Sequence, residues 1–169
     1  MTRNDPSLAA RVCLALVAEG PTHGWALAGL LDPAGEIGRI WSLSRPLTYR
    51  AIDGLLDDGS IERVGTAPGG GRTRVLVAAT PTGVALVDEW LDAPVDLPRD
   101  VRTELLLKFA LRDRRARPNP ELAARQRALF APMLAAVDAE SDVDFVVRWK
   151  VEHLRAIDRF LASFEDERP

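Results

Sequence analysis

Arginines are the residues whose type and spacing most clearly allow specific chemistry in this chain. Six of them lie between residues 39 and 74, where the sequence has four acidic residues. The planar guanidinium group can pair with a guanine edge or with a phosphate through two parallel hydrogen bonds. The six are Arg39, Arg45, Arg50, Arg63, Arg72 and Arg74. This mildly basic segment predicts a surface that binds nucleic acid.

The charge of the whole chain opposes that prediction. The sequence has 22 Lys and Arg against 25 Asp and Glu, a formal net charge of −3. Most nucleic-acid-binding domains present a basic surface to the phosphates. Three of the four acidic residues in the basic segment, Asp53, Asp57 and Asp58, also lie close together along its predicted helix. A protein-interaction module without DNA binding therefore stays open as an alternative.

Other kinds of chemistry have little support. Cys13 is the only cysteine and lies in an apolar run, which favours an inert core thiol and excludes an intrachain disulfide. His23 and His153 are far apart in the sequence, so we expect no metal site, and we expect His23 to satisfy a turn. The sequence shows neither a Gly-rich phosphate loop nor a nucleophile motif. We therefore expect no catalytic residues and no cofactor, and an enzyme is the last of the three hypotheses.

The distribution of apolar residues favours a soluble globular protein. Hydrophobic residues make up 47% of the 169 residues and charged residues 28%. No apolar run approaches the roughly 20 residues that a membrane span needs, and residues 1–6 do not have the pattern of a signal peptide. The expected location is the cytoplasm.

The sequence pattern up to residue 60 predicts three short helices. The first is Leu8–Ala18, with Ser7 as its N-cap, and the second is Trp25–Leu31. The third begins at Ser44, which we expect to cap it, and ends at Asp58 before Gly59.

The pattern then changes to that of a hairpin followed by more helices. Residues 60–64 and 74–78 read as strands around the glycine-rich tip 68–72, and residues 84–91 read as a helix. This order predicts a winged helix-turn-helix over residues 1–92, in which the third helix enters the major groove and the wing lies along the backbone. The fold class is mainly α with a small β-hairpin wing. A proline-containing break at 93–98 separates it from a helical domain at 99–166.

Residues on the third helix and the wing are the predicted DNA contacts. Arginines there can pair with bases or phosphates, the tyrosine can add a phosphate hydrogen bond, and tip glycines allow close approach of the backbone. The predicted DNA-binding residues are Arg39, Ser44, Arg45, Thr48, Tyr49, Arg50, Arg63, Gly70, Arg72 and Arg74.

The helical domain ends in a helix with two apolar stripes. We expect helices at 99–111, 120–137 and 143–164. The first stripe of the last helix is Val143, Val147, Leu154, Ile157, Leu161 and Phe164, and the second is Val146, Trp149, Ala156 and Phe160. So wide an apolar arc needs cover on two sides.

Four segments together resemble PadR-type transcriptional regulators. Residues 18–27 resemble the helix end and Pro-x-His-Gly-aromatic turn of that family, and 44–52 with 55–62 resemble its recognition helix and first wing strand. Residues 80–83 with Trp90 resemble the segment after the wing, and 102–109 resemble the start of a longer C-terminal domain found in one branch. The chain departs from the family at Thr48, where an apolar residue is usual, and at Trp25, where tyrosine is commoner.

The resemblance implies a homodimer on an inverted-repeat operator, usually a repressor, that many relatives release when a small aromatic or hydrophobic effector binds. The dimer would be held by the C-terminal helices. We assign the first stripe to this interface: Val143, Val147, Leu154, Ile157, Leu161 and Phe164. Trp90 and Trp149 are effector candidates because an indole stacks on planar ligands, although ordinary packing of both tryptophans is the stronger interpretation.

Overall fold

The computed structural model describes residues 6–69, 72–138 and 144–167. The chain divides into two compact units, of which one ends at Leu91 and the other begins at Asp92. In the part of the chain so described, none of the helices is both long enough and apolar enough to span a membrane.

Three helices open the first unit. They are α1 at Leu8–Val17, α2 at Gly24–Leu30 and α3 at Arg45–Asp57. The predicted cap of α1 is confirmed, since the Ala10 amide donates to Ser7 Oγ at 3.2 Å. Cys13 is fully buried on α1, and this burial raises the pKa of its thiol to about 12. The thiolate is therefore scarce at neutral pH, as expected of an inert core thiol.

The caps of α2 and α3 differ from each other. His23 precedes α2, and its Nδ1 accepts a hydrogen bond from the Ala26 amide at 3.0 Å, which confirms that His23 satisfies the turn. Ser44 occupies the N-cap position of α3, but its side chain makes no capping hydrogen bond. The expectation that Ser44 caps this helix was therefore wrong for its side chain. Gly59 follows α3 with φ 75°, a left-handed conformation that glycine adopts without strain.

A two-stranded antiparallel hairpin follows α3 in the described part of the chain. Strand β1 is Ile61–Gly69 and strand β2 is Arg72–Ala79, so both are longer than the sequence pattern indicated. The register shifts between Arg63 and Gly65, and pairing then continues to Gly69, into residues whose sequence resembles a turn. Thr22 also pairs with Val77, with amide-to-carbonyl distances of 3.0 and 2.8 Å. The turn before α2 is thereby attached to the wing.

Helix α4 is Pro81–Asp92, and all but its last residue belong to the first unit. It begins three residues earlier than expected because Thr80 forms its start: Thr80 Oγ1 accepts from the Gly83 amide at 3.1 Å. A Cβ on Gly83 would lie 2.0 Å from the Ser60 carbonyl oxygen. Glycine is therefore required where α4 leaves the hairpin.

The second unit is helical in its described residues. A stretch of three consecutive parts comes first: Pro98–Asp100, a π-helical segment Val101–Leu105, and α5 at Leu106–Arg114. The expected single helix at 99–111 is thus interrupted. Helix α6 is Pro120–Asp138, and α7 is Phe145–Ala162 with a 3-10 turn, Ser163–Glu167, after it.

Aromatic and aliphatic side chains of these helices form one core. Ile157 and Leu161 of α7 belong to it together with Phe109 of α5 and Phe130 of α6. Phe164 packs against Phe109, with ring centroids 4.7 Å apart. One face of α7 is therefore covered by its own chain.

Polar side chains of the second unit hold its first residues. Arg112 and Arg117 both bind the Asp92 carboxylate, the latter at 2.8 Å. Gln126 pairs with both backbone groups of Val95, at 2.7 and 2.9 Å. Burial raises the pKa of Asp92, but the hydrogen bonds and charges of the two arginines outweigh it and leave the pKa below its usual value.

Replacing Asp92 with Asn should therefore lower stability in a pH-dependent way. At pH 7 we expect a loss of about 1 kcal/mol, the low end for charged hydrogen bonds because the carboxylate is half exposed. A lowered folded-state pKa means that this contribution is present above the ordinary carboxyl pKa and disappears as pH falls through the folded value. Urea unfolding at pH 7 and at about pH 2, well below the ordinary carboxyl pKa, measures the difference.

The matched control is Asp96→Asn, since Asp96 is exposed in the same segment. Equal losses in both variants, or a D92N difference that does not shrink on acidification, would contradict the role assigned to this carboxylate.

Candidate nucleic-acid interface

Helix α3 has one buried face and one exposed face. Thr48, Ile52 and Leu55 are buried, at steps of three and four residues. The exposed residues are Arg45, Pro46, Leu47, Tyr49, Arg50, Asp53, Gly54 and Asp57. A second helix of a helix-turn-helix that leaves one face free has the form of a recognition helix.

Most of the predicted contacts on α3 are accessible. Ser44, Arg45, Tyr49 and Arg50 are all exposed. Thr48 does not fit the expectation that it contacts DNA. It has no exposed surface, and its Oγ1 donates to the Ser44 carbonyl at 3.1 Å. Thr48 is the position at which the sequence departs from the apolar residue that the family resemblance implies, and this position is buried. Thr48 supports the helix and does not reach a ligand.

Tyr49 is held from the side by α2. A Cβ on Gly24 would lie 2.5 Å from Tyr49 Cε1, so the ring occupies the space that a side chain at Gly24 would need. The tyrosine nevertheless remains 46% exposed. Glycine at the first position of α2 therefore lets an aromatic ring of α3 lie against α2 and still face solvent.

Charge along α3 is divided between its two ends. The arginines lie toward the N-terminus, whereas Asp53 and Asp57 lie toward the C-terminus. These two carboxylates share an open groove with Glu62 and with the predicted contact Arg63. The Arg63 charge is therefore partly offset locally. The N-terminal half of α3, which also carries the positive end of the helix dipole, is the half suited to an anion.

Arg74 is positioned on the wing by an aromatic ring. Its guanidinium carbon lies 4.6 Å from the centroid of the Trp25 ring, and one of its nitrogens lies 3.4 Å from His23 Nε2. Because His23 Nδ1 accepts from the Ala26 amide, a neutral imidazole carries its proton on Nε2. Both nitrogens are then donors and form no hydrogen bond with each other, so stacking on Trp25 is the contact that holds the arginine.

Three further residues of the loop and the wing were predicted to contact DNA. Arg39 is exposed between α2 and α3. Gly70 lies outside the described residues, and so does the side chain of Arg72.

The first apolar stripe of α7, which we expected to face a dimer partner, is largely buried within its own unit. Leu154, Ile157 and Leu161 are buried in the core of their own unit, and Phe164 packs on Phe109 of that core. Val147 is half-buried, and Val143 lies outside the described residues.

The second stripe is the exposed one. Trp149 and Phe160 are 69% and 37% exposed, and the adjoining Phe145 is 76% exposed. The first stripe is thus the one covered within its own unit, by α5 and α6, and the second stripe is left exposed.

The two effector candidates lie in different environments. Trp90 on α4 is only 7% exposed. Trp149 stacks on His153, with ring centroids 5.7 Å apart and an interplanar angle of 14°. A planar molecule can reach Trp149 without rearrangement, whereas Trp90 would have to be uncovered first. Among the residues placed by the structure, no cluster of three or more His, Cys, Asp or Glu could hold a metal ion.

Comparisons with known proteins give likenesses of fold only. No family model matches the chain, and no curated protein matches it. Bacillus subtilis PadR in complex with operator DNA is 18% identical, with 92% of this chain and 97% of that chain covered and a TM-score of 0.49. The same protein in complex with p-coumaric acid is 19% identical, with 93% and 96% covered and a TM-score of 0.46. The description of three helices followed by a hairpin wing rests on the helices and strands of this chain and not on these comparisons.

A double-mutant cycle should detect the Trp25–Arg74 contact. We expect Trp25→Ala and Arg74→Ala to destabilise the protein together by less than the sum of their separate effects, with a coupling of about 0.5–1 kcal/mol because the ring is half exposed. Urea unfolding of the four proteins gives the coupling. Trp25→Ala with Thr73→Ala, an exposed neighbour on β2, is the control pair. Additive effects in the first cycle would show that the cation does not stack on the indole.

Proposed function

We propose that this protein is a PadR-type transcriptional regulator that binds operator DNA as a homodimer and is not an enzyme. The observation that carries the proposal is the exposed face of α3, whose N-terminal half presents Arg45, Tyr49 and Arg50 to solvent. The resemblance of the sequence segments to that family agrees with this geometry.

Helix α3 has the length and chemistry to read a major groove. Its 13 residues extend about 20 Å, enough to lie in the groove. Arg50 can form two hydrogen bonds to guanine O6 and N7. Ser44 and Arg45, at the start of the helix, are suited to the phosphate backbone, as is the Tyr49 hydroxyl.

The wing provides a second contact on the same duplex. Arg74 is stacked on Trp25 and half-buried, so less side-chain entropy is lost when it binds a phosphate. Phosphate contacts fix the register of the protein on DNA without reading sequence. Base reading is thereby assigned to α3, and positioning to the wing.

The exposed stripe of α7 is the proposed dimer interface. Phe145 and Trp149 would remain largely in water in a monomer, and Phe160 further along the helix is 37% exposed. Exposed aromatic side chains of this kind are typical of association surfaces. Two winged helices on one dimer bind two half-sites jointly, so that weak single sites give strong binding. An acidic chain can bind DNA in this way despite a net charge of −3.

We further propose that DNA binding represses transcription and that a small aromatic or hydrophobic effector releases the operator. The family resemblance supports both parts. Trp149 is the better of the two effector candidates because its ring is already accessible. A ligand stacked there would compete with the dimer partner and so weaken binding to the two half-sites.

Arg50→Ala should weaken binding to DNA from upstream of the protein's own gene. Losing one bidentate base contact costs about 1–3 kcal/mol, which corresponds to roughly 5- to 150-fold in affinity. The dimer should stay intact because Arg50 lies on the exposed face of α3. Fluorescence anisotropy measures the affinity and sedimentation the dimer.

Arg102→Ala removes an equally exposed arginine from the second unit and serves as the control. Wild-type affinity in R50A, or the same loss in both variants, would remove Arg50 from the interface.

Trp149→Glu should dissociate the dimer. A carboxylate in the centre of the exposed stripe would be desolvated by a partner, which is unfavourable without a compensating cation. Analytical ultracentrifugation should show a monomer with a wild-type circular dichroism spectrum. Val64→Glu makes the same charge change at an exposed apolar residue of β1 and should remain dimeric. A dimeric W149E protein would place the interface elsewhere.

A further inference from the structure

Two residues on the exposed face of α3 have no explanation within the chain itself. Leu47 is an apolar side chain that is 43% exposed. Gly54 is an exposed glycine in the helix interior. Either feature alone is common on protein surfaces, since single exposed leucines need no special cause. Their coincidence on one helix face with Arg50 is what carries the argument.

Gly54 is unfavourable for α3 and is not required by packing. Glycine is a poor helix former because its backbone loses the most entropy on folding. No atom outside the neighbouring backbone of the helix lies within 4 Å of the position that a Cβ would take. Alanine would fit and would favour the helix. Gly24 contrasts with this, since a Cβ there would collide with Tyr49.

Leu47, Arg50 and Gly54 lie on the same side of α3. They are spaced by three and four residues, the spacing of neighbours on a helix surface. The buried face of Thr48, Ile52 and Leu55 lies on the other side. The sequence along this side is therefore apolar, cationic, without a side chain at Gly54, and anionic one turn later at the exposed Asp57.

We propose that these three residues form the base-reading surface of the protein. Leu47 contacts the C5-methyl group of a thymine, next to the base pair that Arg50 reads, and Gly54 lets the helix backbone approach the DNA. The major groove distinguishes thymine from cytosine partly by that methyl group, which an apolar side chain can contact. This inference rests on the proposed function and specifies which DNA the same surface binds: half-sites that contain a thymine read through its methyl.

Gly54→Ala tests the close approach, because the proposal predicts opposite changes in two measurements. The melting temperature should rise, since alanine favours the helix, while affinity for the selected DNA should fall at least roughly fivefold because the methyl group obstructs the groove. The matched control is Gly29→Ala. Gly29 is likewise exposed in a helix with open space around it, so its variant should gain stability without losing affinity. A G54A protein that binds like the wild type would overturn the role of Gly54.

The thymine contact is tested on DNA duplexes that the wild-type protein enriches from a random pool. Each thymine is replaced in turn by deoxyuridine, which removes only the methyl group. At one position in each half-site, the wild type should lose roughly fivefold in affinity or more. Leu47→Ala should lose a similar amount on the thymine duplex and nothing further on the uracil duplex. Leu129→Ala, an exposed leucine on α6, should behave as wild type.

The outcomes separate the two levels of the argument. Enrichment of a sequence whose uracil substitutions have no effect, or an equal uracil effect in wild type and L47A, would overturn the thymine contact and leave DNA binding standing. Failure of the folded wild type to enrich any sequence would overturn the proposed function together with this inference.

Discussion

The buried face of α3 is the constraint on which the candidate interface depends. Thr48, Ile52 and Leu55 are buried where α3 packs against α1 and α2. Because a helix is rigid, burial of this face directs the opposite face outward, and Arg50 with it. The Thr48 hydroxyl is satisfied by the Ser44 carbonyl, so a polar residue is tolerated in this core. The interface is thus a consequence of how the three helices pack.

The wing is joined to the same helices by backbone and side-chain contacts. Thr22 pairs with Val77, which fixes the turn before α2 to strand β2. Stacking of Arg74 on Trp25 adds a contact from the wing to the start of α2. The family resemblance gave Trp25 as a departure from the usual tyrosine, and the larger indole offers a better surface for a cation. The wing is therefore joined to the start of α2 through one turn.

Local signals in the sequence predicted the positions of the helices and strands well, but they could not predict which side of a helix is buried. Ser7 and Gly59 mark helix ends because capping and left-handed conformations are local. Burial of Thr48 was not predictable, because threonine carries a polar hydroxyl. The partner of that hydroxyl, the Ser44 carbonyl, is in place only once the helix has formed. The two stripes of α7 have similar apolar content, and only the packing of α5 and α6 decides that Leu154 is inside and Trp149 outside. The π-helical segment 101–105 interrupts a pattern that reads as a regular helix.

Selective DNA binding by the exposed face of α3 and the wing can be measured on the wild-type protein. Fluorescence anisotropy on labelled DNA from upstream of the protein's own gene, with unlabelled random DNA as competitor, is measured at about 50 and 200 mM salt. We expect selective binding that weakens steeply at the higher salt, because phosphate contacts release counterions. A folded, dimeric protein that does not bind at low salt, or that binds both DNAs equally, would contradict this expectation.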